Sequence, residues 1–221
     1  MNTKYVTLMD DLPFHYRLLR PASSDGRTLV LLHGSGVDET SLLPIASEIA
    51  PQATTLAVRG RVRQDEGWRW YERITPTRFD QESVRSEAGA FADFMTEAAR
   101  QYEFDLQQAI FLGYSNGANL ISSMMLLRPG LVRRAALLRP MPVLDDAPRA
   151  DLSNASILVI AGASDLTYAP FAPSLVSLLR EQGADVDDRT IQAGHEFGTE
   201  DAAIIRRWLH RTEPLTVADN T

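Results

Sequence analysis

The 221-residue chain has no cysteine. That excludes a disulfide framework, a cysteine nucleophile, an iron–sulfur cluster and thiolate zinc sites. Lysine is nearly missing too, Lys4 standing against 21 arginines. The balance of 22 basic and 29 acidic residues leaves a net charge of −7. This argues against a nucleic-acid partner, because phosphate attraction supplies most nonspecific affinity. Long apolar runs are absent, and the best candidates, Leu120–Leu127 and Ile157–Ala161, fall far short of the ~20 residues of a membrane span. The N-terminal stretch has neither the apolar segment nor the cleavage site of a signal peptide, so the expectation is a soluble cytoplasmic protein. With no H-E-x-x-H or similar paired-histidine motif, no metal is implied. No internal repeat or linker appears, which predicts one domain over residues 1–211 and a frayed tail over 212–221.

What is present is ordinary globular composition, 44% hydrophobic and 23% charged, in a chain long enough to bury a sizeable core. Lys4–Met9 and Phe14–Leu19 read as two short strands joined by a turn. Thr28–His33 reads as a strand buried on both faces, Ser41–Ala50 as a helix and Thr54–Val58 as a strand. Helical spacing over Glu82–Tyr102 puts Ala88, Phe91, Ala92, Met95, Ala98, Ala99 and Tyr102 on one stripe. Then come strand Ala109–Tyr114, an apolar helix Asn116–Leu127, strands Ala135–Leu138 and Ile157–Ala161, helix Pro173–Gln182, strand Val186–Ile191 and helix Asp201–Arg211. Strands alternating with helices imply a mostly parallel sheet covered on both faces, an α/β fold.

The chemistry sits at strand ends. Gly113-Tyr114-Ser115-Asn116-Gly117 is G-x-S-x-G, directly between a strand and a helix. A nucleophile on so sharp a turn needs small neighbours, and the helix N-terminus offers free N–H groups to a developing anion. In folds that carry this turn, an acid and then a histidine follow the serine. Two histidines follow Ser115. His195, in the loop before the last helix, is the better base, whereas His210 near that helix's C-terminus reads as a solvated imidazole. Asp165, after the 157–161 strand, is the candidate acid. Asp185, Asp187 and Asp188 border the last strand, and Asp145 and Asp146 sit in a proline-rich connection. The oxyanion hole needs two backbone donors. Asn116 supplies one and Ser35 the other, with Gly34 and Gly36 as alternatives. Gly34-x-Gly36 is not a dinucleotide fingerprint, because Glu39 stands where the third glycine belongs. His33 reads as a shaper of that loop.

Leu32-His33-Gly34-Ser35-Gly36-Val37-Asp38-Glu39, Arg59-Gly60, Gly113-Tyr114-Ser115-Asn116-Gly117-Ala118-Asn119, Asp165 and Gly194-His195-Glu196 together resemble the phospholipase/carboxylesterase family of α/β-hydrolases. The similarity covers roughly residues 28–211 and is nearest to its small bacterial carboxylesterases. It implies a capless, cofactor-free α/β-hydrolase fold acting on small carboxylic esters. It also implies Ser115 as nucleophile, Asp165 as acid, His195 as base and oxyanion amides at Ser35 and Asn116. The family's acyl-protein thioesterase branch typically has Gln-Gly after its serine; Asn116-Gly117 here makes long-acyl thioesters a weaker expectation. Dienelactone hydrolases share the fold but typically use cysteine. The alternatives are an acyl-thioesterase or lysophospholipase with the same three residues, or a hydrolase-fold binding protein without turnover. The expected partner is a small-molecule ester, with no nucleic acid and no membrane; the oligomeric state is open, a homodimer included.

Residues 59–80 show no sustained period and read as a long functional loop. Trp68 and Trp70, with Tyr71 and Phe79, are expected either to line a substrate pocket or to pin the loop to the core, the pocket being favoured. The six arginines of this stretch would attract an anionic substrate. Asp65, Glu66 and Glu72 neutralise half of that charge and favour a solvated face instead.

Overall fold

The structure is a computed structural model and describes residues 7–65 and 67–211. The tail 212–221, residues 4–6 of the first expected strand, and Glu66 lie outside the described residues. The chain begins with β1 (Tyr16–Leu19), β2 (Thr28–Leu32), α1 (Leu43–Ile49) and β3 (Thr54–Val58). Four short strands follow, β4 (Val62–Gln64), β5 (Gly67–Arg69), β6 (Arg73–Thr75) and β7 (Arg78–Phe79). The remainder alternates as α2 (Gln81–Tyr102), β8 (Ile110–Tyr114), α3 (Asn116–Leu127), β9 (Arg134–Leu138), β10 (Ser156–Gly162), α4 (Ala172–Glu181), β11 (Asp185–Ile191) and α5 (Thr199–Arg211).

Seven strands form one sheet in the order β1-β3-β2-β8-β9-β10-β11. All neighbours run parallel except β1, which pairs antiparallel with β3. Alternation along each central strand sorts side chains to two faces. Val30, Leu32, Phe111, Ala135, Leu137, Ile157 and Val159 pack beneath α2, α3 and α4. Leu29, Leu31, Ile110, Leu112, Ala136, Leu138, Leu158 and Ile160 pack beneath α1 and α5. This is the α/β-hydrolase architecture, a mostly parallel sheet with helices on both sides. The long α2 is capped by Asp80, whose carboxylate accepts from the Ser83 amide at 2.8 Å, and ends at Glu103 in the left-handed region.

Two expectations are corrected. Within the N-terminal pair, Met9 meets Tyr16 through a single bridge, and the second strand joins the main sheet as its antiparallel edge. The 59–80 stretch is no irregular loop. It folds into two small hairpins, β4–β5 and β6–β7. Strands of two or three residues are too short to write an alternating pattern into a sequence, and so no period was visible.

Strand β2 lies between β3 on one side and β8 on the other, so the chain reverses its direction of travel across the sheet there. Open α/β sheets bind ligands in the crevice outside the carboxyl ends of the strands at such a point. The loop 33–36 leaves β2 there, and Ser115 leaves β8 beside it.

Candidate active site

Ser115 sits between β8 and α3 with φ 50° and ψ −110°, a backbone geometry rarely tolerated outside glycine. The flanking glycines make the turn possible. A Cβ on Gly117 would stand 2.2 Å from the Leu32 carbonyl oxygen, and one on Gly113 2.6 Å from the Ala118 nitrogen. The Ser115 amide donates to the Leu138 carbonyl at 2.8 Å, tying the turn to β9. Its hydroxyl faces His195, with Oγ 3.0 Å from Nε2. The other imidazole nitrogen, Nδ1, lies 2.6 Å from Asp165 Oδ2. Asp165 is buried, and its second oxygen accepts from the Tyr168 amide at 3.0 Å. His195 keeps about a third of its side chain exposed (31%), so a ligand can reach it.

The His195 loop is held from several sides. Tyr114 donates its hydroxyl to the His195 carbonyl at 2.9 Å; burial pushes that hydroxyl up to about 12, so it remains a donor. The Tyr168 ring stands 4.8 Å from the imidazole. Beneath them lies a feature that the sequence did not announce. Arg139, fully buried, donates to both Asp201 carboxylate oxygens at 2.8 and 3.0 Å, to the Gly194 carbonyl at 2.9 Å and to the Glu196 carbonyl at 3.0 Å. One guanidinium thus links the end of β9, both sides of His195 and the first turn of α5. An arginine twenty-four residues beyond Ser115 carries no sequence signal for this role, since only the fold brings it under the loop.

The 33–36 loop is equally braced. His33 Nε2 accepts from the Gly60 amide at 2.9 Å, leaving Nδ1 to donate to the Gly34 carbonyl at 2.6 Å. Burial lowers the His33 pKa to about 4, so the ring is neutral and this tautomer is maintained. The Trp70 indole N–H donates to the His33 carbonyl at 2.9 Å. Glu39, its side chain wholly buried, receives Arg17 at 2.7 Å and Arg59 at 2.6 Å. The loop that carries Ser35 is therefore held in a rigid frame. Opposite, Asn116 begins α3, where a helix leaves its first N–H groups without intrahelical acceptors.

No family model matches the chain. It is 30% identical to the putative hydrolase MhqD of Bacillus subtilis over 181 residues, 81% of this chain and 90% of that one. The chain belongs to the phospholipase/carboxylesterase family of α/β-hydrolases. A solved carboxylesterase from Mesorhizobium loti is 57% identical, covering 93% of this chain and 98% of its own, with a TM-score of 0.91. The Bacillus cereus carboxylesterase is 27% identical over 91% of this chain and 95% of its own, with a TM-score of 0.87. As a member of the phospholipase/carboxylesterase family, the protein is a carboxylic ester hydrolase. No helix among the described residues is long and apolar enough to cross a membrane.

The two tryptophans expected at the substrate wall of this carboxylesterase part company. Trp70 is 0% exposed, packed against Phe14, Phe91 and His33. It cannot offer a face to a ligand, and its placement on the pocket wall is corrected to a core pin. Trp68 is half-buried, its ring lying 5.2 and 5.3 Å from the guanidinium carbons of Arg59 and Arg63. Its carbonyl accepts from the Gly36 amide at 2.9 Å, which sets the β4–β5 hairpin against the 33–36 loop.

Proposed function

We propose that the protein is a serine carboxylesterase that acts on small esters through an acyl-enzyme. The observation that carries this reading is the unbroken hydrogen-bond chain from Asp165 Oδ2 to His195 Nδ1 at 2.6 Å and from Nε2 to Ser115 Oγ at 3.0 Å. Asp165 holds the proton on Nδ1, so Nε2 is free to act as a base. Ser115 Oγ attacks the ester carbonyl carbon while Nε2 takes its proton. The carbonyl oxygen becomes an oxyanion, met by the amides of Ser35 and Asn116. Collapse breaks the C–O bond, and Nε2–H returns the proton to the leaving alcohol. Water then repeats the sequence on the acyl-enzyme, releasing the acid and restoring Ser115.

Replacing Ser115 by alanine tests the reading. A triad acts as a unit, and losing the serine lowers kcat by about 10⁶ in a well-studied protease. The variant is expected to keep its melting temperature and lose ester hydrolysis. An organophosphonate is expected to add one mass increment to the parent protein, on Ser115. Labelling at another residue, or substantial turnover by Ser115→Ala, would overturn the assignment.

A further inference from the structure

The six arginines between residues 59 and 80 separate cleanly in three dimensions. Arg59 pairs with Glu39, Arg61 with Glu87 and Arg73 with Asp65. Arg63 lies over the Trp68 ring, and Arg78 is exposed. Arg69 is the exception. It is 4% exposed, its Nε is buried without a hydrogen-bond partner, and among the described residues no carboxylate pairs with it. A guanidinium is not deprotonated in a protein, so a charge is held here with no carboxylate hydrogen-bonded to it among the described residues. Arg73, also cationic, is among its neighbours, together with Tyr71, Asp65 and Tyr168.

Two more buried polar groups lie close to Arg69 and to the residue after Ser115. The Tyr71 hydroxyl and the Asn116 side-chain nitrogen are buried beside one another, with Asn119 next to the hydroxyl, and neither atom is in a well-formed hydrogen bond. The Asn116 amide is locked in place, because its oxygen accepts from the Trp70 backbone N–H at 2.8 Å. That bond holds the Arg69-Trp70-Tyr71 segment against the residue that follows Ser115. Arg69 also neighbours Tyr168, whose ring packs on His195. Buried polar groups left unpaired are rare and call for a partner. Arg69 and Asn116 offer only donors here and Tyr71 can act as one, so the matching partner is an oxygen anion.

We infer that Arg69, with Tyr71 and Asn116, forms a carboxylate-recognition subsite beside Ser115, and that the preferred ester carries a second, ionised carboxyl group. The inference rests on the serine esterase reading above and narrows its substrate class to anionic esters. The carboxylate can sit on either side of the scissile bond, which four substrates distinguish. Monoethyl succinate carries it on the acyl part and has ethyl 4-methylpentanoate as its neutral isostere. 4-Acetoxybutanoate carries it on the alcohol part and is matched by 4-methylpentyl acetate.

Hydrolysis followed in a pH-stat is expected to favour one anionic ester over its isostere in kcat/KM. Arg69→Met is expected to lower that ratio by about 10–100-fold, the scale of a lost charge-assisted hydrogen bond, and Arg69→Lys to restore part of it. Succinate is expected to inhibit the parent enzyme competitively. Neutral esters hydrolysed equally well, with no inhibition by succinate, would overturn the subsite and leave the esterase standing, whether or not Arg69→Met folds. If none of the four esters is hydrolysed, the esterase reading fails. Calorimetry then decides the subsite alone: succinate binding to the parent and not to Arg69→Met upholds it, and absence of binding rejects it.

Discussion

At Ser115 the backbone occupies a conformation that costs about 1–3 kcal/mol for a residue with a side chain. Burial of α3 against β2 and β8 sustains it, and that contact requires the bare backbone of Gly113 and Gly117. The same rigidity extends to Asp165, buried and held by the Tyr168 amide. Asp165→Asn is expected to leave the melting temperature nearly unchanged. It should lower kcat by about 10³–10⁴, because an amide at this position stabilises the wrong imidazole tautomer; steady-state kinetics on any accepted ester checks this. Asp187→Asn, on an exposed stretch of β11 paired with Arg189 and Arg211, is expected to leave kcat as it was. His33 makes a separate, pH-dependent contribution. Its folded pKa of about 4 lies below the reference of about 6.5. Between those values the unfolded chain binds the proton and the folded one does not, so stability falls as the pH drops from about 6.5 towards 4. His33 accounts for about 3 kcal/mol of that fall, and urea titrations at pH 7 and pH 4.5 on the parent and on His33→Gln are expected to show a shallower loss in the variant.

Among the elements, the loop carrying His195 depends on a buried ion pair. Arg139 and Asp201 are sealed from water, so removing one partner strands the other charge. Asp201→Asn is expected to destabilise the protein by about 3–5 kcal/mol in denaturant unfolding and to lower kcat through the displaced His195. The double variant Arg139→Met, Asp201→Leu is expected to regain stability without regaining kcat, since no guanidinium then anchors the Gly194 and Glu196 carbonyls. The β4–β5 hairpin offers a matching contrast. Trp70→Ala empties a core position at a loss of about 3–5 kcal/mol and is expected to lower kcat/KM for all esters together. Trp68→Ala removes a half-buried ring and is expected to lower the melting temperature less.

For the whole molecule, the sheet is deepest beneath the candidate site. Strands β2, β8, β9 and β10 are covered on both faces, and all carry almost unbroken buried runs. The hairpins β4–β5 and β6–β7 stand outside the main sheet and leave most residues partly open. Protection from amide exchange follows burial and pairing. Hydrogen exchange is therefore expected to be slowest in those four central strands and to open earlier in β6–β7. Rapid exchange in β8 would mean that the strand behind Ser115 is less firmly held than its packing implies.

The long-period features were legible from residue order alone. Apolar spacing marked α2 and α3, with α2 beginning one residue before its expected start and α3 coinciding with its expected span. Continuous apolar runs marked β2, β8 and β10, because strands buried on both faces admit few other residues. The G-x-S-x-G turn was legible because its steric demand is local, confined to the five residues that meet it. Chain order and loop position were enough to single out Asp165 and His195, but their hydrogen-bond distances to each other and to Ser115 belong to the tertiary structure. So do the strand order, the burial of Trp70 where a pocket wall was expected, and the Arg139–Asp201 pair. The hairpins between 62 and 79 were illegible because strands of two or three residues barely complete one repeat of an alternating pattern. The arginines of that stretch show the limit most plainly. In the sequence they are six equivalent charges among four acids, and only folding pairs Arg59, Arg61 and Arg73 with carboxylates and leaves Arg69 buried with no such pair among the described residues. Pairing between charges depends on distance through space, which the order of residues does not encode.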